Sequence, residues 1–458
     1  MAQVFSLPAM AWKATRVDEL RPGHALRIGH AWFDHPFPAN TFPLESLVQI
    51  GVLREIGIKR LFIDPEKSTP ASMSPANESM GLPLLPDTPP ALRGQIAAET
   101  RALTQAKAQH VEWVGRTRAA ASETAKLYQR SAREASLCLS MLNAGFPQAE
   151  QQADKLLEGL VMAVGQAESP LSLARGTPPV DAQQRHALQA LDAVAIAAMM
   201  ARRMTLSEED TRSLILATLL HGVGLLRLPA NLRQESGLTR AAEVQAYRKY
   251  PATGADLVSA CPGMPPAVAH LIANHRERLD ASGFPSHKVG TDVPVLARVV
   301  GLISEYVSIT TRGTALIPTV ALAQLYKQQR DAFGKDVIDA FVAALTVYPP
   351  GSFVALSDGS IGRVVRVSER ERLRPCVMVY DPNLNPDEAD IVDLAQVRSL
   401  SITSALDPRQ QMTGLVEFLG GRTWPGLVLS VPPPLEVAGA GNTAPGANSI
   451  ALDESAAA

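Results

Sequence analysis

Three histidines, His186, His221 and His275, stand where apolar residues recur at helical spacing. Histidine is the side chain best suited to bind a metal or carry a proton near neutral pH. His221 follows Leu214, Ala217 and Thr218 at spacings of seven, four and three, and His275 follows Val268, Leu271 and Ile272 at the same spacings. His186 shares a helical face with Ala190, Ala193 and Val194. A buried imidazole needs partners for its ring nitrogens. Three of them on separate inward faces could converge on one metal site. The same spacing also fits three packed histidines bonded to backbone. There is no HExxH, no inward pair at i and i+4, and no carboxylate beside any of the three at the expected place. Cys138, Cys261 and Cys376 are far apart and form no CxxC, which argues for free thiols in a reducing compartment.

The residues around these histidines predict helices. Ser207 is an N-cap followed by Glu208, Glu209 and Asp210, so the helix carrying His221 should start there. Residues 171–348 read as an almost wholly helical domain ended by Pro349-Pro350-Gly351. Ahead of it, 16–65 reads as a small α/β domain, with Leu47, Ile50, Leu53 and Ile56 at helical spacing. A Pro/Ser/Thr-rich flexible linker is expected over 66–90, and a helical connector over 91–170. Within that connector, 91–143 forms a long helix or a helical hairpin, suited to dimerisation, and a second helix covers about 148–165. Beyond the central domain, 351–404 reads as β-rich, with strands 353–356 and 363–367 joined by an Asp358-Gly359 turn and a third strand over 376–380. Residues 432–458 are expected to be a disordered tail. A net charge of −2 with no long basic run excludes a dedicated nucleic-acid binder, but not a site for a small anion. No stretch reaches about 18 unbroken apolar residues and no signal peptide is read at the N-terminus, so the expectation is a cytoplasmic protein without a membrane span.

Two motifs bring in a family resemblance. Residues Ala217-Thr218-Leu219-Leu220-His221-Gly222-Val223-Gly224-Leu225-Leu226-Arg227-Leu228-Pro229 resemble the HD-GYP signature LLHDIGKIGIP. His275-Arg276-Glu277-Arg278-Leu279-Asp280-Ala281-Ser282-Gly283-Phe284-Pro285 is similar to HHERWDGSGYP, and 294–310 resembles the helix that follows it. Residues 16–65, with Trp32-Phe33-Asp34-His35-Pro36-Phe37, resemble the small domain often found ahead of HD-GYP domains. The resemblance implies a mainly α fold: an HD-domain-like helical bundle with a small N-terminal α/β domain and a short β-rich C-terminal unit. Members of the family hydrolyse cyclic di-GMP with two or three iron or manganese ions.

Position by position, the chemistry that the resemblance implies has been replaced. His186, His221 and His275 match family His ligands. The Asp of the HD pair is Gly222, the catalytic Lys is Leu225, a further His ligand is Tyr250, the second His of the HH pair is Arg276, and the last Asp is Ser304. Phe284 stands for the Tyr of GYP. A bimetallic hydrolase needs carboxylates to offset two dications and a metal-bound hydroxide to attack. Arg276 beside such a pair would cost on the order of several kcal/mol at an effective dielectric near 20. No catalytic residue is therefore expected. No cofactor is expected either, with a single divalent metal on the three histidines as the alternative.

The expected function is a degenerate HD-GYP protein of cyclic di-GMP signalling, without phosphodiesterase activity, acting by ligand binding or protein contact. Arg276, Arg278, Gly283, Phe284 and Pro285 are the candidate ligand-binding residues, and Arg298 is a further candidate phosphate contact. Cyclic di-GMP, a signalling protein such as a GGDEF protein, and a second copy of the chain are the candidate partners. The alternatives are an active metal-dependent phosphodiesterase with an atypical site, and an interaction scaffold with no nucleotide role.

Overall fold

The computed structural model of the 458-residue chain describes residues 12–74, 88–164, 171–176, 178–235, 237–311, 317–367, 371–420 and 424–429. Much of the expected linker over 66–90, and the whole expected tail over 432–458, lie outside the described residues.

The N-terminal part is a four-stranded antiparallel sheet packed on one helix. Its elements are β1 (Lys13–Thr15), β2 (Ala25–Ile28), β3 (Thr41–Pro43), α1 (Leu47–Glu55), β4 (Leu61–Asp64) and the short α2 (Pro70–Met73), with strand order β1-β4-β2-β3. Ser46 caps α1 by accepting from the Gln49 N–H. Ile50 and Leu53 of α1 share a core with Leu26, Ile28, Leu61 and Ile63.

A single helix, α3 (Pro90–Ala144), then runs for 55 residues, about 80 Å at 1.5 Å per residue. Ala, Glu, Gln, Lys and Arg without an internal proline sustain it. Gly145 ends it in the left-handed region, where a glycine carries no Cβ penalty. The helix is a spine shared by three cores. Ile96 joins the N-terminal core, Trp113 and Val114 join the C-terminal one, and Tyr128, Ala135, Leu139 and Leu142 join the central one.

The central elements are α4 (Ala149–Val164), β5 (Leu171–Gly176), α5 (Ala182–Arg203), α6 (Glu208–Leu220), α7 (Ala241–Arg248), α8 (Tyr250–Ser259), α9 (Pro266–Asn274), α10 (Val295–Thr311), α11 (Pro318–Gln328), α12 (Arg330–Phe333) and α13 (Lys335–Leu345). Nearly every residue of α5 from Ala187 to Ala201 is buried, so this helix is the axis around which the others pack. The first residues of the 171–348 stretch are strand rather than helix.

The C-terminal part comprises β6 (Phe353–Leu356), β7 (Ile361–Arg366), β8 (Cys376–Val379), β9 (Ile391–Asp393), β10 (Ile402–Leu406), α14 (Thr413–Phe418) and β11 (Trp424–Leu429). The hairpin β6–β7 turns at Asp358-Gly359, with Gly359 at positive φ. Strand β11 pairs antiparallel with β5, from Leu171 opposite Leu429 to Gly176 opposite Trp424. Asp192 of α5 ties this pair down: its buried carboxylate accepts from the Tyr128 hydroxyl at 2.7 Å and from the Leu427 N–H at 2.8 Å. Among the described residues no helix is long and apolar enough to cross a membrane.

Candidate functional site

Two helix ends present the central histidines in the same way. Ser207 caps the N-terminus of α6 through the Asp210 N–H, and α6 ends at His221. Helix α9 likewise ends at His275. Each imidazole bonds back to the carbonyl three residues earlier, His221 Nδ1 to Thr218 at 2.7 Å and His275 Nδ1 to Ile272 at 2.6 Å. A carbonyl only accepts, so both Nδ1 atoms carry the proton and each neutral ring has Nε2 as its acceptor. The two rings meet edge to face at 5.4 Å.

From there their surroundings differ. His275 Nε2 is 2.8 Å from the Tyr250 hydroxyl, which donates to it. Burial pushes the Tyr250 phenol up, so it stays a protonated donor. Both nitrogens of His275 are thus engaged. His221 instead faces a cavity of about 100 Å³ that it shares with His186, Arg185, Gln189, Arg233, Glu235, Arg276 and Ser304. Burial, followed by the proximity of His221, Arg233 and Arg185, lowers the His186 pKa to about 4. Burial and Arg276 likewise lower that of His221. Burial and His221 hold His275 well below its ordinary value.

Leu225, Tyr250 and Phe284 form an apolar cluster with Tyr247. Gly224, in the tight turn Val223–Arg227, lets the backbone sit against Tyr250, because a Cβ there would collide with the Tyr250 carbonyl. Gly301 of α10 similarly admits the His275 carbonyl.

The candidate ligand-binding residues do not gather in one place. Arg276 lines the cavity, lies over the Phe284 ring at 5.1 Å, and pairs with Glu235 at 2.7 Å. Arg278 is buried away from it: it donates to the His275 and Glu277 carbonyls, pairs with Glu305 at 2.9 Å and covers the Phe333 ring. Glu305 is therefore committed to Arg278. Arg298 donates to the Phe333 carbonyl and pairs with Asp336. Gly283, Phe284 and Pro285 sit in a loop clamped by buried Glu277, which accepts from the Ser286 and Lys288 N–H groups. Gly283 is needed there because a Cβ would strike the backbone of 276–278, while the positive φ of this turn falls on Ala281. Arg185, Arg233, Glu235 and Tyr247 escape sequence reasoning, because no local pattern ties them to residues tens of positions away.

The metals of the family do not fit this set. Gly222 and Ser304 offer no carboxylate, Glu235 is held by Arg276, and His275 Nε2 is taken by Tyr250. Among the described residues no three His, Cys, Asp or Glu side chains are placed to hold an ion together.

Comparisons with known proteins place the chain. A family described as HD domain matches residues 117–337, a domain of unknown function (DUF3391) matches 13–153, and a KOW domain associated with HD domain matches 353–413. The chain is 26% identical over 410 residues to the cyclic di-GMP phosphodiesterase PA4108 of Pseudomonas aeruginosa, covering 87% of this chain and 92% of that protein. It is 30% identical over 151 residues to the cyclic di-GMP phosphodiesterase response regulator RpfG of Xanthomonas campestris, covering 32% of this chain and 40% of that one. A third relative, the cyclic di-GMP phosphodiesterase PdeB of Borreliella burgdorferi, is 21% identical over 187 residues, covering 40% of this chain and 49% of that one. The chain thus carries an HD domain together with the KOW domain associated with it, and over most of its length it resembles a cyclic di-GMP phosphodiesterase, as HD-GYP proteins do.

Proposed function

We propose that this chain is a non-hydrolytic HD-GYP protein that acts in cyclic di-GMP signalling in the cytoplasm, by ligand binding or by contact with a signalling protein. One observation carries the reading. Tyr250 stands where the family has a His ligand, caps His275 Nε2 with its hydroxyl, and packs with Leu225 and Phe284 where lysine and tyrosine would act. One wall of the site is thus packed with apolar and aromatic groups in place of the groups a metal centre would use. Arg276, held by Glu235, puts a fixed positive charge beside the remaining imidazoles and further opposes a dication.

The competing reading, an active phosphodiesterase with an atypical site, draws on the activity in the names of the relatives. Cyclic di-GMP hydrolysis with manganese or iron(II) separates the two. The expected result is no turnover above a protein-free control. Robust turnover that disappears in His221→Ala would overturn the proposal.

A further inference from the structure

The cavity beside His186 and His221 has a charge balance that suits an anion. Arg185, Arg233 and Arg276 line it, with Glu235 as the one acidic side chain, a surplus of two positive charges. Two of these arginines are anchored: Arg233 donates to the Leu226 and Leu228 carbonyls, and Arg276 is fixed by Glu235 and the Phe284 ring. The buried Nε atoms of Arg185 and Arg276 have no acceptor among the described residues. Buried guanidinium donors without acceptors are costly, and a bound oxyanion would satisfy them. The neutral imidazoles of His186 and His221 add no opposing negative charge.

We infer that this cavity is a metal-free site for a terminal phosphate group, a phosphomonoester rather than a cyclic phosphodiester. The inference rests on the reading above that no metal pair occupies this place. Size selects the class. About 100 Å³ admits a group equivalent to a few water molecules, at about 30 Å³ of liquid each. A ligand the size of a whole dinucleotide needs a pocket of roughly 300–1,000 Å³. A terminal phosphate can enter as an end group with three unesterified oxygens, whereas each phosphorus of a cyclic diester is tied into the ring on both sides. A phosphomonoester carries about −1.5 to −2 at neutral pH, matching the surplus of positive charge.

The test uses the full chain treated with chelator, titrated calorimetrically with inorganic phosphate, with a linear dinucleotide bearing a 5′-phosphate, and with the cyclic dinucleotide. The expected order is linear dinucleotide and phosphate binding, with the cyclic form at least about tenfold weaker. Arg185→Gln should weaken the linear ligand about tenfold, about 1.4 kcal/mol, with an unchanged thermal midpoint. Arg185 is the residue to change because it makes no ion pair that folding could depend on among the described contacts. No heat with phosphate or the linear ligand, equal affinity for the cyclic form, or unchanged affinity in Arg185→Gln would each overturn the inference. Metal content and hydrolysis are read on the same preparation before chelation. Two bound metals with turnover would defeat the underlying reading, while an inactive, metal-poor protein that ignores phosphate would defeat this inference alone.

Discussion

At the scale of single residues, His275 has both ring nitrogens engaged by protein. The ring sits at the end of α9, bonds the Ile272 carbonyl through Nδ1, and accepts from the Tyr250 hydroxyl at Nε2. Tyr250→Phe should leave that buried acceptor without a donor and destabilise the protein by about 1–3 kcal/mol in urea denaturation. No change in stability would contradict the bond. The histidines also set a pH dependence. Their folded-state pKa values lie below the ordinary 6.5, with His186 near 4, because burial disfavours the charged ring. Between those values the unfolded chain binds more protons than the folded one, so stability falls as pH drops from about 6.5 toward 4 and is fully present above that window. The urea midpoint should decrease from about pH 7 to about pH 5, less steeply in His186→Gln. A midpoint that is flat or rises on acidification would refute this assignment. His221 and His275 can be read from the sequence, because each sits in a local motif at the end of an apolar helical run. The partners cannot: Arg276 finds Glu235, 41 residues away, rather than the neighbouring Glu277 or Asp280.

At the scale of elements, the long helix and the β6–β7 hairpin follow local signals. The proline-free, alanine- and charge-rich run is one helix from Pro90 to Ala144, and Asp358-Gly359 turns a hairpin between β6 and β7. What sequence periodicity misses is pairing across long separations. Strand β5 joins β11 some 250 residues later, and neither run carries a turn or a neighbouring strand that announces the other. Asp192 makes that long-range pair specific, since a buried carboxylate in the apolar stretch from Ala190 to Ala201 must find donors. Asp192→Ala should remove the acceptor of the Leu427 N–H and the shorter of the Tyr128 hydroxyl's two bonds, and cost about 3 kcal/mol in chemical denaturation. A loss below about 1 kcal/mol would mean that β11 is not anchored through this residue.

At the scale of the whole molecule, α3 passes through all three cores, so the N-terminal sheet, the helical bundle and the C-terminal β unit share one continuous element. Trp32 from the N-terminal part donates to the Glu388 carbonyl of the C-terminal part, and His110 of α3 meets Asp390 at 2.8 Å. Such a frame keeps the bundle and its histidines in place whether or not the cavity does chemistry. Preservation of fold is therefore separable from preservation of activity, and the decision lies with the ion site itself. The direct measurement is the metal content of the purified chain after loading with manganese or iron(II) and removal of free ion. Well under one tightly held ion per chain is expected; two ions per chain would contradict the metal-free reading of this site.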